Sequence, residues 1–454
     1  MKLLSYFRGE AFQRGVHPPA NKLTAGTKIR RLPFPPRVIV PLSQHIGKVP
    51  RPIVKLGQEV VRGEPIARTD DWLSVPHHAP LTGVVEFIGL RPGVRGSWVE
   101  SIVIRAHPGA TQEDLWGLPR DLSAAGGSDI LQMIWDTGMV GLGGAAFPTH
   151  AKLTVPKQAK VHTLVVNGCE CEPYLTCDHR VMIEQADDLV QGIRYGMRAT
   201  GAVRAIVGIE DNKRDARDAV EAAIKRAGTV PEGEIYAEMV PTKYPQGSEK
   251  MLLMALFGVE IPSGSLPVSL GMVVNNVGTL AALGKLLPAG RGLTERVVTI
   301  TGPGVAKPGD YIVPLGTPLR FVLDYAGAPD VDAKQIILGG PMMGQAAASL
   351  DVPITKGMSG VLVMRGDDMA AQADRKTYPC IKCAECVESC PMGLNPSALG
   401  MLAAKREYDL MGSDYYLGEC FECGCCSYVC PSNIPLVQQF RVAKQILREK
   451  AISK

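Results

Sequence analysis

A chain of 454 residues is too long for one hydrophobic core and implies roughly three to five domains. With 46% apolar and 21% charged residues it has an ordinary globular composition, and a net charge of +4 excludes the dense basic field of a nucleic-acid binder. No apolar run reaches bilayer-spanning length, and the start "MKLLSYFRGEAF" turns charged too early for a secretory core, so the expected compartment is the cytoplasm.

Residues 1–35, with "HPPANK" and "RRLPFPPR", are proline-rich and basic and read as an arm wrapped on another domain. The basic stretches Lys28 to Arg31 and Arg441 to Lys454 read as solvated faces. Short β-type runs follow over 36–110, "PIVKLGQEVVRGEPIA" and "SVPHHAPLTGVVEFIG". They resemble the two halves of a lipoyl/biotinyl-type barrel-sandwich hybrid. Such carriers present a lysine on the hairpin between the halves. Here that stretch, "RTDDWLS" (Arg68–Ser74), has none, so a structural module is expected. His77 and His78 in "PHHAPL" are expected to be surface or packing residues.

From 115 to 290 helices and strands alternate, which predicts an α/β layer with a partly parallel sheet. "VRAIVGI" (Val203–Ile209) reads as a buried strand. In the helix after it, Ala216, Ala219, Val220, Ala223, Ile224 and Ala227 recur at helical spacing, Asp211 or Asn212 is placed to cap, and Gly228 to end it. Residues 291–365, with "RVVTITGPG", "YIVPLGTPLRFVL" and "AKQIILGGPMMG", resemble a β-grasp module of the soluble-ligand-binding type. A spacer between neighbours is the expected role. After "DDMAAQADR", residues 370–454 hold the cysteine region and a closing helix. Asn433 and Pro435 suit that helix's start, and Leu436, Val437, Phe440, Ala443, Ile446 and Leu447 its apolar face.

The twelve cysteines are clustered, nine in Cys380–Cys430 and three in Cys169–Cys177, which reads as metal ligation, not a disulfide framework. "CIKCAECVESCP" supplies Cys380, Cys383, Cys386 and Cys390. "CFECGCCSYVCP" supplies Cys420, Cys423, Cys426 and Cys430, with Cys425 spare. Both fit the C-x₂-C-x₂-C-x₃-C-P run of bacterial ferredoxins, in which the fourth cysteine ligates the other cluster. This predicts two four-iron clusters, one on Cys380, Cys383, Cys386 and Cys430, the other on Cys420, Cys423, Cys426 and Cys390. A pair of zinc sites is the competing reading; no histidine lies in or between the runs. With the helical segment "NPSALGMLAAKREYDLMG" between the runs, the region resembles an α-helical two-cluster ferredoxin domain.

"GLGGAAFPTHAKL" (Gly141–Leu153) follows a helix-like segment ending near Asp136. Its glycines let backbone approach a phosphate or ring closely, and Lys152 can reach a phosphate as a point charge. Three more stretches follow: "VVNGCECEPYLTCDHR", "KYPQGSEKMLLMAL" and "MVVNNVGTLAAL". In this order they resemble the flavin- and NADH-binding 51-kDa subunit family of complex I. The resemblance implies an FMN and NADH site on Gly141, Gly143, Gly144, Phe147, Lys152, Asn167, Glu170, Glu172, Tyr244, Gly247, Glu249, Asn275, Asn276 and Thr279. Glycine N–H groups and Lys152 would hold the FMN phosphate, Phe147 would stack on nicotinamide or adenine, and Glu172 and Glu249 would bond ribose or amide. Cys169 and Ser248 depart from that family's acids. A third metal site on Cys169, Cys171 and Cys177 with His150 or His179 is the lesser reading, structural thiols the expected one.

The whole chain resembles the RnfC family of the Rnf complex. That implies a multidomain α/β electron-input subunit, oxidising NADH through FMN and passing single electrons over two [4Fe-4S] clusters. It further implies an iron–sulfur partner and integral membrane partners, at the cytoplasmic side of the cell inner membrane. Rival readings are a flavin-free iron–sulfur relay and a soluble diaphorase.

Overall fold

A computed structural model describes residues 12–94, 96–329, 331–332, 335–365 and 375–452. The opening stretch read against a secretory signal, nearly all of "DDMAAQADR" and the last two residues of the basic tail lie outside these.

The nucleotide-type domain is built on four parallel strands in the spatial order Glu234–Val240, Arg204–Glu210, Thr163–Gly168, Met272–Asn276. Both faces are apolar, as the continuous Val/Ile/Leu runs predict. Leu164, Val166, Ala205, Val207 and Val273 face the helices Ala186–Thr200, Arg214–Ala227 and Val277–Ala289. Val165, Ile206 and Val274 face the helix Glu249–Phe257. The chain runs outward from Thr163–Gly168 in one direction and returns to its other side with Met272–Asn276. The strand order therefore reverses beside Thr163–Gly168, and at such a point the carboxyl ends leave a crevice for ligands.

At the helix Arg214–Ala227 the predicted start fails and the predicted stop holds. Neither Asp211 nor Asn212 caps Arg214–Ala227; the N-cap is Lys213. The Asp211 carboxylate instead accepts the Thr242 N–H at 3.0 Å, and Asn212 accepts the Lys213 amine at 2.9 Å. Gly228 does end the helix with a positive φ of 66°.

The barrel-sandwich unit packs an antiparallel sheet (Arg37–Pro41, Trp98–Ala106, Gly83–Pro92, Glu59–Val60) on a smaller one (Arg51–Pro52, Pro65–Arg68, His77–His78). Its core includes Val38, Val40, Ile66, Leu81, Ile102 and Ile104. His77 and His78 are buried packing residues, not surface ones. The stretch Arg68–Ser74 docks on the nucleotide domain: the Trp72 carbonyl meets His150 Nε2 at 2.7 Å, and Trp135 Nε1 donates to the Ser74 carbonyl at 3.0 Å.

The β-grasp module has Glu295–Thr301, Gly309–Pro314, Ile336–Leu338, Gln345–Ala346 and Gly360–Val363 in one mixed sheet, with the helix Leu319–Ala326 alongside. The arm joins it. Arg30–Arg31 pairs in parallel with Tyr311–Ile312, and Arg31 forms a 2.7 Å ion pair with Glu295. That stretch is therefore an edge strand with a charge partner, and its basic side chains stay exposed as expected. In the basic tail, Arg441 and Lys444 pair with Glu422, and Lys450 with Asp409.

The last domain is all helical. The helical segment expected over Asn395–Gly412 consists of two helices, Pro396–Ala404 and Tyr408–Ser413, because Arg406 turns left-handed at φ 60°. The closing helix Leu436–Ile452 buries Leu436, Val437, Phe440 and Ala443 as its periodicity predicts.

Candidate functional site

The four stretches of the predicted nucleotide site meet at the strand reversal. Asn167 and Asn276 lie opposite one another in the parallel ladder, at the carboxyl ends of their strands. Asn276 then caps the next helix, its Oδ1 accepting the Thr279 N–H at 3.1 Å, a normal N-cap contact. The glycine loop is pinned over this point: the Leu142 N–H donates to Thr279 Oγ1 at 2.9 Å, and the Gly141 N–H to the Phe147 carbonyl at 2.8 Å. Gly143 lies so close to Asn276 that a β-carbon there would come within 3.2 Å of its side chain, whereas Gly144, at φ +108°, faces open space. Gly143 and Gly144 are exposed, so their backbone is presented outward. On the other side Asn167 Nδ2 donates to the Gly247 carbonyl at 2.7 Å, and Lys152 is ion-paired with Glu249.

The remaining predicted residues divide. Asn275 is buried and its side-chain nitrogen has no hydrogen-bond partner, an orphaned donor on the strand that leads into the cradle. Phe147 is half-buried. Glu170 is engaged at a helix start, where its carboxylate accepts the Asp178 N–H at 2.9 Å and the His179 N–H at 3.2 Å. Glu172 accepts the Met342 and Met343 N–H groups at 3.0 and 2.8 Å, and burial pushes its carboxyl up to about 6. Both acids thus bond backbone of this chain, and Glu172 does not stand free for the ribose or amide contact that the resemblance implies. Tyr244 is buried and its hydroxyl donates to the Cys423 carbonyl at 2.6 Å.

Several residues were invisible to motif reading. Asp178, half-buried and with its carboxyl pushed up chiefly by desolvation, accepts a hydrogen bond from Asn276 Nδ2 at 2.6 Å. Lys22 of the arm threads its amine into the loop after Asn167, donating to the carbonyls of Glu170, Glu172 and Leu175 at 2.7, 2.8 and 2.6 Å. Arg296, fully buried, holds the glycine loop through the Leu142 carbonyl at 3.1 Å. Spacing carries no signal for such long-range partners. Cys169 and Cys177 are buried, while His150 and His179 bond Trp72 and Asp215, so these groups do not converge on a third metal site.

The two cysteine runs repeat one backbone design. Lys382 and Ala384 are left-handed at φ 59° and 65°, and Glu422 and Gly424 take the same places in the second run at 62° and 88°. Each run then enters a short helix, Glu385–Glu388 or Cys425–Tyr428. The loops curl around two cavities. One is lined by Cys380, Cys383, Cys386 and Cys430, the other by Cys390, Cys420, Cys423, Cys425 and Cys426. Each hollow thus joins cysteines of both runs, as a crosswise arrangement requires, with Cys425 standing among the second set. The sulfur donors around each hollow suit a cubane cluster, and the exposed glycine cradle suits a phosphate-bearing flavin.

Comparison with known proteins agrees with this layout. Residues 134–285 match the Nuo51 FMN-binding domain family, 10–108 the RnfC barrel sandwich hybrid domain and 297–346 the SLBB domain. The chain is 40% identical over 413 residues to the C component of a proton-translocating ferredoxin:NAD(+) oxidoreductase complex of Clostridium ljungdahlii, covering 90% of this chain and 88% of that one. It is 38% identical to the C component of the Na(+)-translocating complex of Acetobacterium woodii, covering 88% of each chain. With the C component of the ion-translocating oxidoreductase complex of Rhodobacter capsulatus the identity is 39%, over 96% and 83% of the two chains. Among solved structures, an NAD+-reducing [NiFe]-hydrogenase in the H2-reduced state shares the fold at a TM-score of 0.50 and 22% identity, over 70% of this chain and 63% of that one. By sequence along nearly its whole length, the chain belongs to the RnfC family of the Rnf-type ion-translocating oxidoreductase complexes.

Proposed function

We propose that the chain is the electron-input subunit of a membrane-bound ion-translocating ferredoxin:NAD oxidoreductase, exchanging electrons between NADH and a one-electron partner over two [4Fe-4S] clusters. The observation that carries this is the convergence, in one polypeptide, of a glycine cradle at a strand reversal with two cysteine-lined hollows. FMN supplies the conversion of a hydride pair into single electrons, which nicotinamide does not do readily.

Each residue's part follows from its placement. The N–H groups of Gly143 and Gly144 and the Lys152 ammonium would hold the flavin phosphate, with Glu249 orienting the lysine when no ligand competes. Asn275 would give its free amide N–H to the bound flavin. Phe147, half-buried beside the cradle, offers its ring for stacking. Asn167, Asn276 and Thr279 keep the loops in register. Glu170 and Glu172 act through the backbone they bind, a role that differs from direct ribose contact. The eight cysteines Cys380, Cys383, Cys386, Cys390, Cys420, Cys423, Cys426 and Cys430 would hold the clusters. The hydride step needs no paired acid and base, and the proton that must leave as the electrons depart singly can pass to solvent.

Among the described residues no helix is long and apolar enough to cross a membrane. We assign the chain a peripheral position on the cytoplasmic face of the inner membrane, held by an iron–sulfur subunit and integral membrane subunits; the relatives' naming as members of such complexes supports this. Gly143→Val tests the cradle, since its side chain would collide with Asn276. The expected result is loss of FMN and of NADH-dependent dye reduction with iron content unchanged. Retention of FMN by this variant would refute the assignment.

A further inference from the structure

The two cysteine hollows are not equivalent. The Cys420–Cys430 run lies against the nucleotide domain. Its Cys423 carbonyl accepts the Tyr244 hydroxyl at 2.6 Å, and Glu419 binds Lys250 at 2.7 Å and the Ser263 hydroxyl. A β-carbon on Gly424 would come within 2.7 Å of the Met342 carbonyl. The spare thiol, Cys425, is fully buried in this seam with Val16 and Tyr244, and Cys171, Cys423 and Met342 pack around it. The Cys171 sulfur accepts the Gly247 N–H at 3.2 Å, and Gly247 is the residue whose carbonyl holds Asn167. An unbroken line of contacts therefore runs from the Asn167–Gly247 turn through Cys171 and Tyr244 to a ligand loop of one hollow. The other hollow opens outward. Cys380 and Cys383 are exposed, ringed by exposed Tyr378, Ile381 and Met401.

From this asymmetry we infer an order, resting on the function proposed above. The inner site of Cys390, Cys420, Cys423 and Cys426 exchanges electrons with the nucleotide site, and the outer site of Cys380, Cys383, Cys386 and Cys430 exchanges them with the partner. Tyr244 and Cys171 are positioning residues that hold the inner ligand loop against the nucleotide turn. Each NADH leaves as NAD+ and a proton and yields two electrons. These pass one at a time through the inner and then the outer site, so two equivalents of a one-electron iron–sulfur carrier are reduced. The opposite net direction uses the same sites in reverse order. Cys425 lies buried between this seam and the inner hollow, which it also lines.

Two ligand variants of the full, cluster-loaded chain separate the sites. Cys420→Ala should retain FMN and about four irons. NADH should bleach its flavin while the remaining cluster stays oxidised and is reduced only by dithionite. Cys380→Ala should also retain FMN, and NADH should reduce its remaining cluster as fast as in the unaltered chain, while reduction of the iron–sulfur carrier is lost. The reverse pattern, or equal NADH reduction in both, overturns the order. Tyr244→Phe keeps all cluster ligands, so it remains informative if a ligand variant fails to assemble. After rapid mixing with NADH, the first cluster signal in freeze-quenched EPR spectra should appear several-fold more slowly, at unchanged iron and FMN content. An unchanged rate overturns the bridge. If the unaltered chain, carrying FMN and both clusters, is not bleached by NADH at all, it is the underlying function that fails, not the order.

Discussion

Glu170 and Glu172 stand two residues apart on one loop, yet their carboxylates serve different partners, one a helix start and the other the Met342–Met343 backbone of the β-grasp module. The loop that carries them is held from beneath by Lys22, whose half-buried amine satisfies three carbonyls at once. Lys22→Met leaves those carbonyls without their charged donor and should cost about 3 kcal/mol. A lower urea midpoint together with weaker FMN retention is the expected reading, and Lys22→Arg should not restore either, since a planar fork does not match three converging carbonyls. Asp310 gives a pH signature. Burial pushes its carboxyl up to about 7, against the pull of the Thr299 and Thr176 hydroxyls at 2.6 and 2.7 Å. Between the unfolded value near 3.8 and the folded value the native state holds the extra proton. Stability therefore falls as pH rises through this window, and levels off above it. Asp310→Asn should remove a decline on the order of 2 kcal/mol between about pH 5 and pH 7, seen in chemical denaturation across that range. An equal slope in both proteins would contradict it. At this scale the glycines, asparagines and cysteines were legible, because each has a short-range geometric reason. Lys22, Asp178 and Arg296 were not, because their partners lie far away in sequence or carry no motif of their own.

Two helices, Ala186–Thr200 and Val277–Ala289, cross in near backbone contact. A β-carbon on Gly192 would come within 1.8 Å of the Leu280 carbonyl, and one on Gly284 within 1.8 Å of the Asp188 carbonyl. Either Gly→Ala change must push the pair apart and should destabilise the domain by about 3 kcal/mol, an overpacking penalty measurable by denaturant titration. Because Val277–Ala289 starts at Asn276, the same shift should loosen FMN. Elements with clean periodicity, such as Arg204–Glu210 and Leu436–Ile452, were readable from residue order alone. The break between Pro396–Ala404 and Tyr408–Ser413 was not. Arg406 carries no glycine-like signal for its left-handed turn, and good helix formers flank it on both sides.

Over the whole molecule the domains are interlocked. The arm supplies an edge strand to the β-grasp sheet, and Arg31 and Arg62 converge on Glu295 from the arm and the barrel-sandwich unit. The Arg68–Ser74 stretch, where a carrier protein would display a modified lysine, is clamped to the nucleotide domain. That resolves why it lacks one. Sequence order predicted the succession of units, since each has its own composition and period. It could not predict that the arm would become a strand, or which cysteine run would face the flavin side, as both depend on docking between units. The central claim is that this one chain carries a flavin and two cubane clusters in series. Anaerobic purification followed by metal, sulfide and flavin analysis, with an NADH addition in the cuvette, tests it most directly. About eight irons, eight sulfides and one FMN per chain are predicted, with flavin and cluster absorbance both bleached by NADH. Zinc in place of iron, or clusters that NADH leaves untouched in the FMN-loaded chain, would contradict it.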